Sequence, residues 1–590
     1  MKHVFLISSL LLLAGIVHAQ SIDWATAIGS NYTDRALSVI IDNQGNKYIG
    51  GHFNDTVDFD FGAGTAIKAC KPDALGRGNA FVLKLDASNN FVKVLTFGYP
   101  TVPRYIGVTS MSKDASGNLF LLGYFNTKVD FDPDTALTHD IDPINNNEIF
   151  LVKLDANEKF LWAKNWAYNY PEGANNGGDE EGPAMMVIDA LGNICLTGRY
   201  KGTVDFDPGS GNKKLTSNGQ WGYVLKLDNN GNFQWAKNIA TDTVVGDIVV
   251  PRSIATDASG NLYISGDFMG TVDFNPDTTT TYNLSDSVQK AFLLKLASDG
   301  SFQWVKKIGG EDNNPISSYN YANAVAVDGA SNILLTGSFM GTITMGATTL
   351  VSNGYSDIFI TKLDASGNYL WAKSIGNTWD SERATRLTVD AANNIYIAGT
   401  YKGGLDFDPG AYVKNITSDG ALDAFLLKLN THGMFAWAKS FGGSDNSERI
   451  YSVAAKDNSV YVVGRFMTQI NCDNDGSYYI NAAYIGSGTP RYDGWIAKVN
   501  QGNTSIADIA NNLEAAIYPN PASEEVVIDL TDFNQTNIQA TIFDIGGRKV
   551  RELFIDKPIT KVDIRNLHKG LYIIQLKGAQ TLNRMKLLVK

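Results

Sequence analysis

The sequence predicts an all-β chain: a seven-bladed β-propeller closed by its N-terminal strand, followed by a small Ig-like β-sandwich. Three observations predict it. A block of 66 to 73 residues recurs, its Leu-Lys-Leu or Lys-Val ending falling at Leu85, Leu154, Leu227, Leu296, Leu363, Leu429 and Val499. Each block breaks into four short strand-like stretches bounded by Gly, Asn and Asp. The last block lacks its fourth stretch, and a lone copy of that stretch stands before the first block.

In chain order, residues 1–19 read as a signal peptide. Lys2 supplies the positive start, Val4–Val17 is a short apolar run, and Val17-His18-Ala19 predicts cleavage after Ala19. That run is too short to cross a bilayer, and no other stretch nears the ~20 apolar residues a spanning helix needs. No transmembrane anchor is therefore expected in the mature chain.

Residues 20–500 carry the repeat. Strand A is typified by Ser253–Asp257, B by Asn261–Gly266, C by Ala291–Leu296 and D by Phe302–Lys306. Turns such as Asp257-Ala258-Ser259-Gly260-Asn261 place Gly where a hairpin needs positive φ. Tryptophans keep the beat on strand D at Trp24, Trp162, Trp235, Trp304, Trp371 and Trp437, with Lys93 in the one missing slot. Seven A and seven C strands are present, but the first D strand, Ile22–Ile28, precedes every A strand. It is expected to complete the seventh blade, which removes an otherwise unpaired edge. The Trp437-Ala438-Lys439 strand, the Asp257–Asn261 turn and Phe150-Leu151-Val152-Lys153-Leu154-Asp155 resemble the SBBP-type β-propeller repeats of secreted bacterial proteins. That resemblance implies a fold and no fixed chemistry.

Strand alternation puts the A–B and C–D turns at one end and the B–C and D–A connections at the other. The second end holds the long, varied loops, and ligand contacts are expected there. Tyr168, Tyr170, Trp221, Tyr319 and Tyr321 lie in or beside these loops, able to stack on sugars or to pack their own loops. A second element recurs there: Val57-Asp58-Phe59-Asp60, with copies at Val129–Asp132, Val204–Asp207, Val272–Asn275 and Leu405–Asp408. Its two acids share one face, which suits either a turn or a calcium ion. In the seventh block Asn471-Cys472-Asp473-Asn474-Asp475-Gly476 matches the first half of a calcium loop, making Asn471, Asp473 and Asp475 candidate Ca²⁺ ligands. The closing Glu is missing, since Ala482 stands there. No other cofactor is expected. No nucleophile elbow, phosphate loop or paired histidine motif is present, and Asp179-Glu180-Glu181 suits a solvated loop as well as an acid pair. Cys70, Cys195 and Cys472 are too few for a disulfide framework.

Residues 501–513 read as a linker, and 514–590 as a separate strand-rich module. Of 49 basic and 61 acidic residues, 11 and 9 fall from Glu514 onward, leaving the body with 38 and 52. So acidic a body argues against nucleic acid. The module opens with Tyr518-Pro519-Asn520-Pro521 and continues through Ile542–Val550, with Asp544 and Gly546. Gly570-Leu571-Tyr572 follows, and the basic end closes on Lys590. These motifs resemble the type A C-terminal sorting domain of the type IX secretion system of Bacteroidota. The resemblance implies the secretion machinery as a partner, and surface attachment or release. For the body, the expectation is a noncatalytic binding or adhesion scaffold with a glycan or extracellular protein ligand. The alternative is a secreted polysaccharide-acting enzyme with its site on the loop-rich end.

Overall fold

The computed structural model describes residues 22–71, 78–99, 105–134, 136–144, 148–167, 184–239, 247–277, 280–310, 319–378, 380–410, 412–444, 448–473, 478–483, 491–501, 516–518, 522–530, 538–544, 548–555, 557, 559–577 and 582–589. Among them every regular element is a strand. They fall into two compact units, residues 1–500 and 501–590.

In the first unit, the described strands form seven antiparallel four-stranded repeats, the third and fourth joined into one eight-stranded sheet by a parallel bridge between Gln220 and Ile248. The first is Arg35–Ile41, Lys47–Phe53, Asn79–Leu85 and Phe91–Phe97, the A, B, C and D strands in order. The sixth is Arg383–Val389, Ile395–Tyr401, Asp423–Leu429 and Phe435–Phe441. The seventh takes Arg449–Lys456, Ser459–Phe466 and Asp493–Asn500 from the end of the repeat region and Ile22–Ile28 from its start. There Ala25 faces Ala497 and Ile28 faces Gly494. The outward N–H and C=O of Ala25 bond the Tyr478 hydroxyl at 3.1 and 3.2 Å, which satisfies that stretch of the outer edge.

The repeat motifs have physical causes. In most of the tight turns one carboxylate bonds the turn backbone: Asp42 Oδ1 accepts the N–H groups of Gln44 and Asn46 at 3.0 and 2.9 Å, and Oδ2 accepts the Asn46 amide, while Asn430 and Ala297 hold that place in the C–D turns of the sixth and fourth repeats. Burial pushes the Asp42 carboxyl up, but these bonds outweigh it and hold it below its ordinary range. Every A strand but the third carries a register shift near its start, as between Ala36 and Ser38 or Ile450 and Ser452. The bulge brings a carbonyl over the facing B strand, so a Cβ on Gly51, Gly399 or Gly464 would stand 1.8–1.9 Å from an oxygen of Arg35, Arg383 or Arg449. Glycine is required there.

Neighbouring repeats lock through strand D. The C–D turn glycines Gly231, Gly300, Gly367 and Gly433 have positive φ, and a Cβ on any of them would lie 2.9–3.1 Å from the preceding repeat's Trp162, Trp235, Trp304 or Trp371. C-strand lysines reach the same turns: Lys226 Nζ donates to Ser298 O at 3.0 Å and Lys295 Nζ to Ala365 O at 2.9 Å. The first repeat departs from this pattern in both partners at once. Lys93 replaces the tryptophan, and the next turn carries Glu158 at φ +60° in place of glycine. Glu158 lies buried, with Lys93 at 2.6 Å, Lys84 at 2.7 Å and the Tyr48 hydroxyl at 2.9 Å. Burial opposes its ionisation, yet these donors hold the carboxyl below its usual range. An ion pair thus stands in for an aromatic stacked on glycine. Lys93→Trp and Glu158→Gly are each expected to cost about 1–3 kcal/mol. The double variant, which installs the tryptophan–glycine contact made by the turns of the third to sixth repeats, is expected to recover at least half of the summed loss in denaturant unfolding. Additive losses would refute the compensation.

The A strands of successive repeats pack side by side, and Arg449–Lys456 of the last repeat also contacts Arg35–Ile41 of the first. Val39 N–H donates to Ser452 Oγ at 3.2 Å across that junction, and the Tyr461 hydroxyl donates to Asn89 Oδ1 at 2.7 Å.

In the second unit, Lys549–Ile555, Ile538–Asp544, Gly570–Lys577 and Leu582–Val589 form one sheet; Ala516–Tyr518, Glu525–Asp529 and Ile559–Asp563 form another. Val526, Ile528, Ile542, Val562, Ile574 and Leu587 belong to one shared core.

Candidate functional site

The recurrent Val-Asp-Phe-Asp element opens a ribbon between strands B and C. Thr56 to Asp58 pair with Ile67 to Ala69, Leu405 and Asp406 with Ile416 and Asn415, and in the third and fourth repeats the B and C strands themselves extend to form it. Its Phe is buried against aromatic side chains of B and C: Phe59 on Phe53 and Phe81, Phe206 on Tyr200 and Tyr223, Phe407 on Tyr401 and Phe425. The first acid closes the loop. Asp205 Oδ1 accepts the N–H of Asp207 at 3.1 Å and of Lys213 at 2.8 Å, and Asp406 Oδ1 does the same for Asp408 and Lys414. These carboxylates serve as backbone caps.

The seventh repeat carries the same element in altered form. Cys472 takes the place of the Phe, its N–H bonding Tyr478 O as the Phe59 N–H bonds Ala66 O. Asn471 Oδ1 accepts the Asp473 N–H at 3.0 Å, and its amide donates to Asp419 Oδ2 at 3.1 Å. Asp473 Oδ1 pairs with Lys439 at 2.5 Å. Asp475 lies outside the described residues. The half-match to a calcium loop thus coincides with a backbone cap, and no three acidic, cysteine or histidine groups converge as metal ligands among the described residues.

The inner strands line an open central cavity of about 180 Å³, with residues of all seven A strands contributing, including Ser38, Ser110, Ser253, Asn323, Arg386 and Ser452. Many of these polar groups are already engaged: Ser253 Oγ accepts the Val325 N–H, the Asn323 amide donates to Ala384 O at 2.8 Å, and Arg386 bonds the carbonyls of Thr385 and Tyr451. The volume is below the ~300–1,000 Å³ of small-molecule sites. It suits water better than a ligand.

The B–C/D–A end offers more. All five exposed tyrosines among the described residues of the first unit belong to its connections, Tyr282, Tyr355, Tyr412 and Tyr479 to B–C and Tyr319 to D–A, although the ribbon carrying Tyr282 folds back so that this ring packs on Phe302, beside the C–D turn, at 5.1 Å. They span four consecutive repeats, and Tyr355 is 69% exposed. Of the described aromatics expected at this end from sequence, only Tyr319 is exposed. Trp221 is corrected: the third repeat's C strand runs unbroken from Lys214 to Leu227, and Trp221 is buried within it. Tyr321 packs beneath the Arg252 guanidinium at 5.2 Å. Tyr168, Tyr170 and Asp179–Glu181 lie outside the described residues, as does the cleavage position Ala19. The described histidines do not assemble a site. His52 is buried, and burial with the Arg35 charge holds its imidazole well below its ordinary pKa. His139 stacks on Phe160 at 4.3 Å. Cys70, Cys195 and Cys472 are buried free thiols, pushed up by burial to about 11, 12 and 12.

In the second unit Asp544 accepts both the Arg548 N–H and its Nε at 3.0 Å, pinning a turn. Tyr572 is buried and donates to His568 O at 2.8 Å, while Gly570 opens the strand that carries it. Tyr518 ends the Ala516–Tyr518 strand; Pro519, Asn520, Pro521, Gly546 and Lys590 lie outside the described residues.

Residues 516–590 match the family described as secretion system C-terminal sorting domain. The chain is 22% identical over 72% of its length to the uncharacterized WD repeat-containing protein L264 of Acanthamoeba polyphaga mimivirus, and 26% identical over 35% to the regulatory protein FlaEY of Caulobacter vibrioides. The matched segments span only 35% and 21% of those two proteins. Among solved structures, a Dyadobacter fermentans protein of unknown function is 11% identical with a TM-score of 0.34, covering 82% of this chain and all of its own. Drosophila Semaphorin 2a is 8% identical with a TM-score of 0.35, covering 97% and 99%. The sorting domain makes the chain a secreted or outer-surface protein and implies interaction with the type IX machinery. No described helix is long and apolar enough to cross a membrane.

Proposed function

We propose that residues 20–500 form a closed seven-bladed β-propeller of the SBBP kind, acting as a noncatalytic binding scaffold outside the cell. In this reading residues 1–19 are the export signal cleaved after Ala19, 501–513 a linker, and 514–590 an Ig-like sandwich that serves as the address. Closure is supported by the Ile22–Ile28 strand in the seventh repeat and by the contact of the last A strand with the first. The binding reading rests on the exposed tyrosines of the B–C and D–A connections. Their flat, amphipathic rings suit stacking on glycan rings and hydrogen bonding at the rim, at low entropic cost.

A glycan-array screen of residues 20–500, scored for retention and for reducing-end release, tests this. Retention without release is expected, and Tyr355→Ala with Tyr412→Ala is expected to weaken it at least tenfold. Release of reducing ends would favour the polysaccharide-acting enzyme. Retention unchanged by the tyrosine variants would remove this face as the site, and no retention at all would turn the search to a protein ligand.

A further inference from the structure

At the loop-rich end, the residue that opens a C strand lies beside the one that introduces the next A strand. Asp34 N–H donates to Tyr492 O at 2.7 Å, which brings Asp34 next to Asp493. Glu382 N–H donates to Ser356 O at 2.8 Å, which brings Glu382 next to Asp357. The same two places hold Lys290 and Asn320 between the fourth and fifth repeats, so the fold itself does not demand acids. All four acids are buried, and Asp34 Oδ2, Asp357 Oδ1 and Glu382 Oε1 have no hydrogen-bond partner. Backbone covers them closely. A Cβ on Gly29 or Gly376 would stand 2.0 Å from the Asp493 or Asp357 carboxyl.

Two carboxylates side by side in a dry interface cannot both ionise without a large electrostatic cost. We infer that the fifth–sixth and seventh–first junctions each retain a proton shared between paired carboxyl groups, so that the ring is held more tightly in mildly acidic than in alkaline surroundings.

The surroundings agree. At the seventh–first junction Asp34 accepts the Asn54 N–H at 2.6 Å and faces Ser30, while Asp493 accepts the Ala483 N–H at 2.5 Å. The nearby charged or titratable groups are Arg35, Arg465, Asp55, Cys70 and His52. Arg465 and Arg35 lie over the Tyr492 ring at 4.0 and 5.9 Å. At the fifth–sixth junction Asp357 accepts the Asn353 N–H and Glu382 the Asn377 N–H; Arg383 adjoins, and Asp380 pairs with Lys402 at 3.0 Å. Burial, then the Asp493 charge, raises Asp34 far above the carboxylate range, and burial pushes Asp493 up to about 7. Burial, with Asp357 and Asp380, pushes Glu382 up to about 8; Asp357 is raised by burial. The folded chain therefore keeps protons that the unfolded chain releases above about pH 4. The stability they confer is full below that pH and is lost as pH rises through about 7 to 8.

The test is thermal unfolding of the full chain between pH 5 and pH 9, for wild type and for Asp34→Asn/Glu382→Gln. The wild-type melting temperature is expected to fall further than the variant's across this range. The variant should thus gain several degrees relative to wild type at pH 9 over its standing at pH 5; parallel curves overturn the inference. Infrared spectroscopy of the wild type at pH 6.5 decides the case even if that variant does not fold. A protonated carboxyl C=O band, shifted in heavy water, is expected, and its absence overturns the inference equally.

Discussion

Removing residues 514–590 is expected to abolish surface and extracellular appearance, with the truncated chain accumulating in the periplasm. The sorting match covers residues 516–590, and those residues form a unit with its own core, so the cut leaves the seven repeats intact. Cell fractionation and protease shaving should show at least a tenfold loss of the exposed protein. Transplanting residues 501–590 onto a periplasmic reporter should send the reporter out. Normal surface levels after truncation would refute the sorting role. A chain that disappears altogether would mean the repeats need the tail to fold, which the transplant arm separates from addressing.

The second large effect is expected from deleting residues 22–28. The strand buries Ile22, Ala25 and Ile28 against the seventh repeat. At ~2–3 kcal/mol for each buried isoleucine, its loss removes roughly 5 kcal/mol of burial alone. It also leaves Asp493–Asn500 as an unpaired edge with Trp495 and Ile496 beneath it. Such a loss is a large fraction of the ~5–15 kcal/mol that separates folded from unfolded domains. The truncated protein is expected to melt at least 10 °C lower and to aggregate. A synthetic peptide spanning residues 21–31 should restore the transition by re-forming the strand. Unchanged melting, or no response to the peptide, would show that the N-terminal strand does not complete the seventh sheet.

The D-strand order was legible because Ile22–Ile28 and Trp24 repeat a pattern absent after Val499. Lys93 was legible as a break in the beat, but its partner was not. Glu158 lies 65 residues away, in a turn whose copies in the third to sixth repeats hold glycine. The ribbons escaped because the acids that cap them read equally well as cation ligands. In the fold Asp205 is spent on the N–H groups of Asp207 and Lys213. The inner bulges escaped as well, since Leu37, Thr109, Arg252, Asn323, Thr385 and Tyr451 share no chemistry that would mark the position. Trp221 was misplaced because Asn218-Gly219 reads as a turn just before it, whereas this repeat's C strand runs through both residues from Lys214. The carboxyl pairs are formed by ring-scale packing. Asp34 and Asp493 stand 459 residues apart in the chain, beyond any local signal.

The ring closed by the first strand is tested most directly by cross-linking Ala25 to Ala497. Because the free backbone groups of Ala25 bond the Tyr478 hydroxyl, these two residues form a non-hydrogen-bonded antiparallel pair, with Cα atoms about 4.5 Å apart and within disulfide reach. In the Ala25→Cys/Ala497→Cys variant, non-reducing peptide mapping should recover one disulfide-linked peptide joining these positions, with a raised melting temperature. Two free thiols in the folded protein, or a link formed only after unfolding, would contradict the closure and the loop-rich face defined by it.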